Sequence, residues 1–112
     1  MNNLAIAAIA IHPQGIKILQ LLNENGNCTL WLPKKLEFDN NARYYDISLQ
    51  EHLKTIWQDY SAFVFCMATG AVVRLIAPLL KDKKSDPAIV VIDATGNYVV
   101  SLTGDIKAVR IH

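Results

Sequence analysis

Apolar residues in this chain fall either into short unbroken runs or into stretches where they recur at helical spacing. The first run, Leu4-Ala5-Ile6-Ala7-Ala8-Ile9-Ala10-Ile11, breaks at His12-Pro13. A strand covered on both faces reads this way, as strands of parallel sheets do. Pro13 suits the first turn of a helix, where its missing N–H costs nothing. Ile16, Leu19 and Leu22 carry that helix forward until Asn25-Gly26-Asn27 stops it. Cys28 to Leu32 predicts a second strand, closed by Pro33. Residues 34 to 47, with Lys34-Lys35 and Asn40-Asn41, are polar and predict the least regular segment. Ser48-Leu49-Gln50-Glu51 has the form of a capping box, and Leu49, Leu53, Ile56 and Tyr60 lay one apolar stripe along a second helix.

Ala62 to Met67 predicts a third strand, apolar on both faces, leading through Ala68-Thr69-Gly70 into a helix from Ala71 to about Lys81. Pro78 falls inside that helix and predicts a kink or a tightened last turn. Asp82 to Pro87 reads as a charged turn, Ala88 to Asp93 as a fourth strand, and Tyr98 to Leu102 as a fifth. Thr95-Gly96-Asn97 joins the last two closely enough for an antiparallel hairpin. The order β-α-β-α-β-α-β-β predicts an α/β fold in three layers, a mostly parallel sheet of about five strands flanked by helices and ending in that hairpin. Residues 1–112 form one domain, with an irregular or truncated tail after about residue 102.

Composition narrows the function classes. Just over half the residues are hydrophobic, 52%, which is enough for a sizeable core. Eleven Lys and Arg against ten Asp and Glu leave no broad field to hold nucleic acid or an anionic membrane, so any anion site must be local. Cys28 and Cys66 each sit in an apolar run and read as buried thiols in a reducing compartment. His12, His52 and His112 are far apart and none flanks a cysteine, so no zinc spacing occurs. The apolar opening lacks a basic flank and is too short for a membrane helix, so the cytoplasm is the expected location.

Ligands of open α/β sheets bind beyond the carboxyl ends of the parallel strands. His12 to Gly15, Met67 to Gly70 and Asp93 to Gly96 all fall there. Thr69 is placed to cap the third helix, and Gly70 to let a ligand approach the backbone. The free N–H groups at that end would favour a carboxylate or phosphate. Arg74, Pro78 and Lys81 share one helix face, which is either a solvated surface or a clamp for a polyanion. His12 is either a plain helix-start residue or a general acid–base group. Asp82, Asp86 and Asp93 read as turn formers and caps. No P-loop, dinucleotide fingerprint or nucleophile elbow is present.

One segment says more. Met67-Ala68-Thr69-Gly70-Ala71-Val72-Val73-Arg74-Leu75-Ile76-Ala77-Pro78-Leu79-Leu80-Lys81-Asp82-Lys83, followed by Asp86-Pro87-Ala88-Ile89-Val90-Val91-Ile92-Asp93, closely resembles the N-terminal domain of the CbiG family. The opening strand with Pro13 and Gly15 looks like that family too, so the resemblance spans roughly residues 4 to 102. It implies a cobalt-precorrin-5A hydrolase of anaerobic cobalamin biosynthesis, which opens the δ-lactone and expels acetaldehyde to leave cobalt-precorrin-5B. The partner so implied is a cobalt-corrinoid substrate edged with carboxylates, which brings its own metal, so no further cofactor is expected. Gly15, Met67, Ala68, Thr69, Gly70, Arg74 and Lys81 are then candidates for binding, and His12, Thr69 and Asp93 for proton transfer.

The resemblance also implies middle and C-terminal domains, or other enzymes of the pathway, as partners. Family members continue after the last matched strand with a Leu-Ser-Gly-His-x-Gly-Gly-Ala-Asn-like stretch, where this chain has Thr103 to His112. That departure leads us to expect an isolated chain without turnover, a non-catalytic module for a corrinoid or partner domain being the alternative. An exposed sheet edge at that end predicts self-association into a homo-oligomer.

Overall fold

A computed structural model describes residues 5–23, 28–37, 42–82, 84–93, 98–102 and 107–110. Seven strands, β1 (Ile6–Ala10), β2 (Cys28–Pro33), β3 (Arg43–Tyr45), β4 (Ala62–Cys66), β5 (Ala88–Ile92), β6 (Tyr98–Ser101) and β7 (Lys107–Arg110), form one sheet in the order β3-β2-β1-β4-β5-β6-β7. The first five are parallel, while β6 and β7 run antiparallel to their neighbours. Three helices accompany them: α1 (Pro13–Leu22), α2 (Leu49–Ile56) and α3 (Thr69–Ile76).

β1 is an interior strand, between β2 and β4, because its residues can be covered on both sides. Ala7 and Ile9 belong to the core beneath α2 and α3 with Phe63, Phe65, Leu53 and Val72. Ala8 and Ala10 face the opposite core with Ile16, Leu19, Leu30 and Leu32. Alternation of side chains across a strand sends neighbours to opposite layers, so the unbroken apolar run is what a doubly covered strand requires. The helices carry matching stripes, and Ser48 caps α2 by accepting the Glu51 N–H at 3.1 Å. The three-layer α/β reading is therefore correct, and its closing antiparallel hairpin is β5–β6.

The differences have local causes. Residues 34 to 47 contain a 3-10 turn at Lys34–Leu36 and the whole of β3. Tyr45 is buried beside α2, while Tyr44 packs into the other layer. A three-residue strand shows too little alternation to be read from sequence. α3 begins at Thr69 and gives way after Ile76 to a 3-10 turn, Ala77–Leu79, because Pro78 offers no N–H to a continuing helix. β7 lies in the stretch expected to be irregular, held as a strand by pairing Lys107 to Arg110 against Ser101 to Tyr98. Cys28 is only half-buried, whereas Cys66 is buried as expected, and both thiols are free. The turn expected at 95–97 lies outside the described residues. Among the described residues no helix is long and apolar enough to cross a membrane.

Candidate functional site at the strand switch point

Chain order and strand order part ways beside β1. The chain leaving β1 runs outward through β2 to β3, then α2 returns it to the other side of β1 as β4. α1 therefore covers one face and α3 the other, and the carboxyl ends of β1 and β4 are left open between them. A cleft of about 360 Å³ occupies this opening, lined by Ile11, His12, Gln14, Gly15, Cys66, Met67, Ala68 and Ala71.

Two helix starts face this edge. α1 is entered from His12, whose extended backbone ends as its carbonyl accepts the Ile16 N–H at 3.1 Å. α3 is entered from Ala68, whose carbonyl accepts the Val72 N–H at 3.1 Å. Neither entry is capped by a side chain. Thr69, expected to cap α3, is instead its first residue, since the extended residue is Ala68. With no side-chain oxygen at the cap position, the first N–H groups of both helices remain available to an acceptor.

Gly15 is fixed by packing. A Cβ there would stand 3.2 Å from the Cys66 carbonyl oxygen, 3.3 Å from Cys66 Sγ and 3.4 Å from Ala10 Cβ. α1 thus approaches β1 and β4 so closely that a side chain at Gly15 would force its neighbours to give by a few tenths of an ångström. Gly70 is different: a Cβ there would meet nothing within 4 Å, so its bareness keeps the start of α3 open without serving the core.

His12 and Cys66 are the ionisable groups of the lining. Burial first, and the nearby Asp93 charge second, push the Cys66 thiol above its ordinary value. Its S–H donates to the Asp93 carbonyl oxygen at 3.8 Å, so at neutral pH it is a protonated wall residue and no nucleophile. His12 is exposed at the mouth. Among the described residues no three His, Cys, Asp or Glu side chains gather closely enough to hold a metal ion.

The structure thus brings His12, Gly15, Met67 and Ala68 together in one lining. Thr69 and Gly70 follow at the start of α3, and Asp93 lies half-buried at the end of β5. Arg74 is exposed farther along α3. Lys81 is not part of this edge: it precedes β5, and its N–H is held by Asp86 Oδ2 at 2.7 Å at the sheet's other end. Asp82 and Asp86 are the turn formers expected, Asp82 Oδ1 accepting the Lys84 and Ser85 N–H groups at 2.7 and 3.0 Å. Gln14 falls within the His12 to Gly15 segment expected at this edge, whereas the sequence reading did not place Ile11, Cys66 or Ala71 in the lining. Their only signal was adjacency to segments already singled out.

The pattern of the family described as Cobalamin synthesis G N-terminal matches residues 51–108. The cobalt-precorrin-5A hydrolase of Priestia megaterium is 44% identical over 66 residues, covering 59% of this chain and 18% of that protein. That of Salmonella typhimurium is 35% identical over 98 residues, or 88% of this chain and 28% of that protein. A solved cobalamin biosynthesis protein G homolog from Sulfolobus solfataricus has a similar fold, with a TM-score of 0.64 at 30% identity over 89% of this chain and 29% of the other. The chain thus spans less than a third of each of these relatives.

Proposed function

The chain belongs to the cobalamin synthesis G N-terminal family, and we propose that it is the corrinoid-binding N-terminal domain of a cytoplasmic cobalt-precorrin-5A hydrolase. In this reading the complete enzyme opens the δ-lactone of cobalt-precorrin-5A and releases acetaldehyde, giving cobalt-precorrin-5B. The observation that carries the proposal is the switch-point cleft, which combines apolar walls with two uncapped helix starts. A macrocycle fringed with acetate and propionate groups presents an apolar face and anionic edges, and these suit such walls and such N–H groups.

Roles follow from chemistry. Opening a lactone with water requires one proton to leave the water and one to reach the departing oxygen. His12 is the imidazole at the mouth and is suited to carry either proton. Thr69 and Asp93 flank the same edge as secondary candidates. Arg74 has the length to reach back along α3 toward a carboxylate, as helical side chains lean toward the N-terminus. A non-catalytic binding module is favoured by one observation, that among the described residues the lining offers His12 and a protonated thiol but no carboxylate.

The test has two arms. Calorimetric titration of this chain with a cobalt corrinoid carrying free carboxylates should give saturable binding, weakened severalfold by Arg74→Ala. Acetaldehyde release from cobalt-precorrin-5A should be lost in the complete enzyme when His12 is replaced by Ala. Absence of binding refutes the domain's role, while binding with undiminished turnover in the His12 variant leaves the module reading in its place.

A further inference from the structure

The switch-point cleft does not end at β1. A second cleft of about 400 Å³ shares Ile11 and His12 with it and continues past Pro33, Tyr45, Ile47 and Leu49. Pro33 and Tyr45 are the last residues of β2 and β3, and Cys66, in the first cleft, is the last of β4. The four strands are parallel and adjacent in the order β3-β2-β1-β4, so their carboxyl ends share one edge. The two clefts are therefore halves of one trough across that edge, with Ile11 and His12 at its middle. Neighbouring strands lie about 4.8 Å apart, which gives the trough a span of roughly 14 Å.

Apolar side chains follow its whole length. Ile11 is half-buried and held against the core beneath α2 and α3, as are Leu49 in one half and Ala71 in the other. Ile47, between β3 and α2, lines the second half and is 53% exposed. Leu21, Val73 and Leu80, the other large apolar residues exposed among those described, line neither cleft. Apolar residues scattered singly over a surface need no explanation, but one that continues the wall of a binding cleft gains from a ligand that covers it.

We propose that the trough takes one flat face of the macrocycle, with Ile11 as the platform beneath it and Ile47 as the contact that selects a whole four-ring ligand over a fragment. The inference rests on the corrinoid reading above and extends it. A ligand confined to the switch-point cleft has about 360 Å³, near the lower end of the roughly 300–1,000 Å³ of small-molecule sites. A disc of four five-membered rings around a metal, fringed with acid side chains, is too broad for that half alone. Laid across the end of β1, it reaches Ile47. A two-ring fragment fits within the first half and leaves Ile47 in water.

The test titrates the whole chain calorimetrically with a cobalt corrinoid bearing free carboxylates and with a dipyrrole dicarboxylate. Wild type should bind the corrinoid at least about tenfold more tightly, because only the larger ligand covers both halves. Ile47→Ser should weaken the corrinoid about tenfold, as losing one covered isoleucine does, and leave the dipyrrole within twofold. Its urea midpoint should match wild type, since the side chain is already half in water. Val73→Ser, a similar change outside the trough, should leave both affinities within twofold. Corrinoid binding that is equal in wild type and Ile47→Ser overturns the span and spares the corrinoid reading. A dipyrrole bound as tightly as the corrinoid, or a loss in Val73→Ser that matches the loss in Ile47→Ser, overturns the span as well. Failure of the wild type to bind the corrinoid overturns both.

Discussion

Two glycines at matching places, one near the start of α1 and one near the start of α3, should respond to alanine with opposite signs. At Gly15 the new Cβ would press on the Cys66 carbonyl at 3.2 Å and on Cys66 Sγ at 3.3 Å. The carbonyl belongs to β4, whose pairing with β1 and β5 runs through Cys66, so it cannot retreat cheaply. Overpacking of this kind costs about 1–3 kcal/mol, against at most about 0.5–1 kcal/mol gained by replacing a helical glycine. The net is roughly 1–2 kcal/mol of destabilisation, or a fall of about 4–8 °C in Tm for a domain this small. At Gly70 nothing lies within 4 Å, so only the backbone gain remains, about 0.5–1 kcal/mol of stabilisation. Urea denaturation of both variants at equal m measures the two directly. A Gly15→Ala midpoint at or above wild type would refute the close-approach argument. A fall in both variants would mean that glycine's conformational freedom, not contact, fixes these positions.

Loss of water around His52 holds its imidazole below the ordinary value of 6.5. The unfolded chain therefore binds more protons below about pH 6.5, and stability should fall on acidification by at most about 1.4 kcal/mol per pH unit. His52→Phe keeps the stack and should flatten that part of the slope in urea midpoints measured between pH 7.5 and 5.5; parallel slopes would refute it. Burial pushes the Tyr45 phenol up to about 12, so the folded chain holds its proton longer than the unfolded one, and stability should be lost as pH rises above 10. Tyr45→Phe should remove that alkaline loss in melts followed by circular dichroism. Cys66, with its raised thiol, should resist iodoacetamide at pH 8 until urea unfolds the chain, as peptide mapping would reveal; rapid native labelling would contradict its burial. Ser48→Ala should cost α2 about 1 kcal/mol through the lost bond to the Glu51 N–H, read as a lower urea midpoint.

Patterns carried by neighbouring residues survived unchanged from sequence to structure. The apolar run from Leu4 to Ile11, the Pro13 helix start and the Ser48 cap all depend on residues within a turn or two of each other. Propensity and side-chain period act at that range. The α/β class followed from their order alone. The strings from Met67 to Asp93 carried the family in the same local way.

Position across the sheet was another matter. Nothing near Gly15 in the chain announces Cys66, yet the pairing of Ala10 with Cys66 sets them against each other. Tyr45 looked like part of a polar loop until His52 and Trp31 stacked behind it. Lys81 shared a helix face with Arg74 on paper, but Pro78 ended the helix and the turn to β5 carried the lysine to the far edge. Strand order decides each of these, and it is set by burying two faces of one sheet at once. No local pattern encodes that choice, because the contacts that settle it join segments distant in the chain.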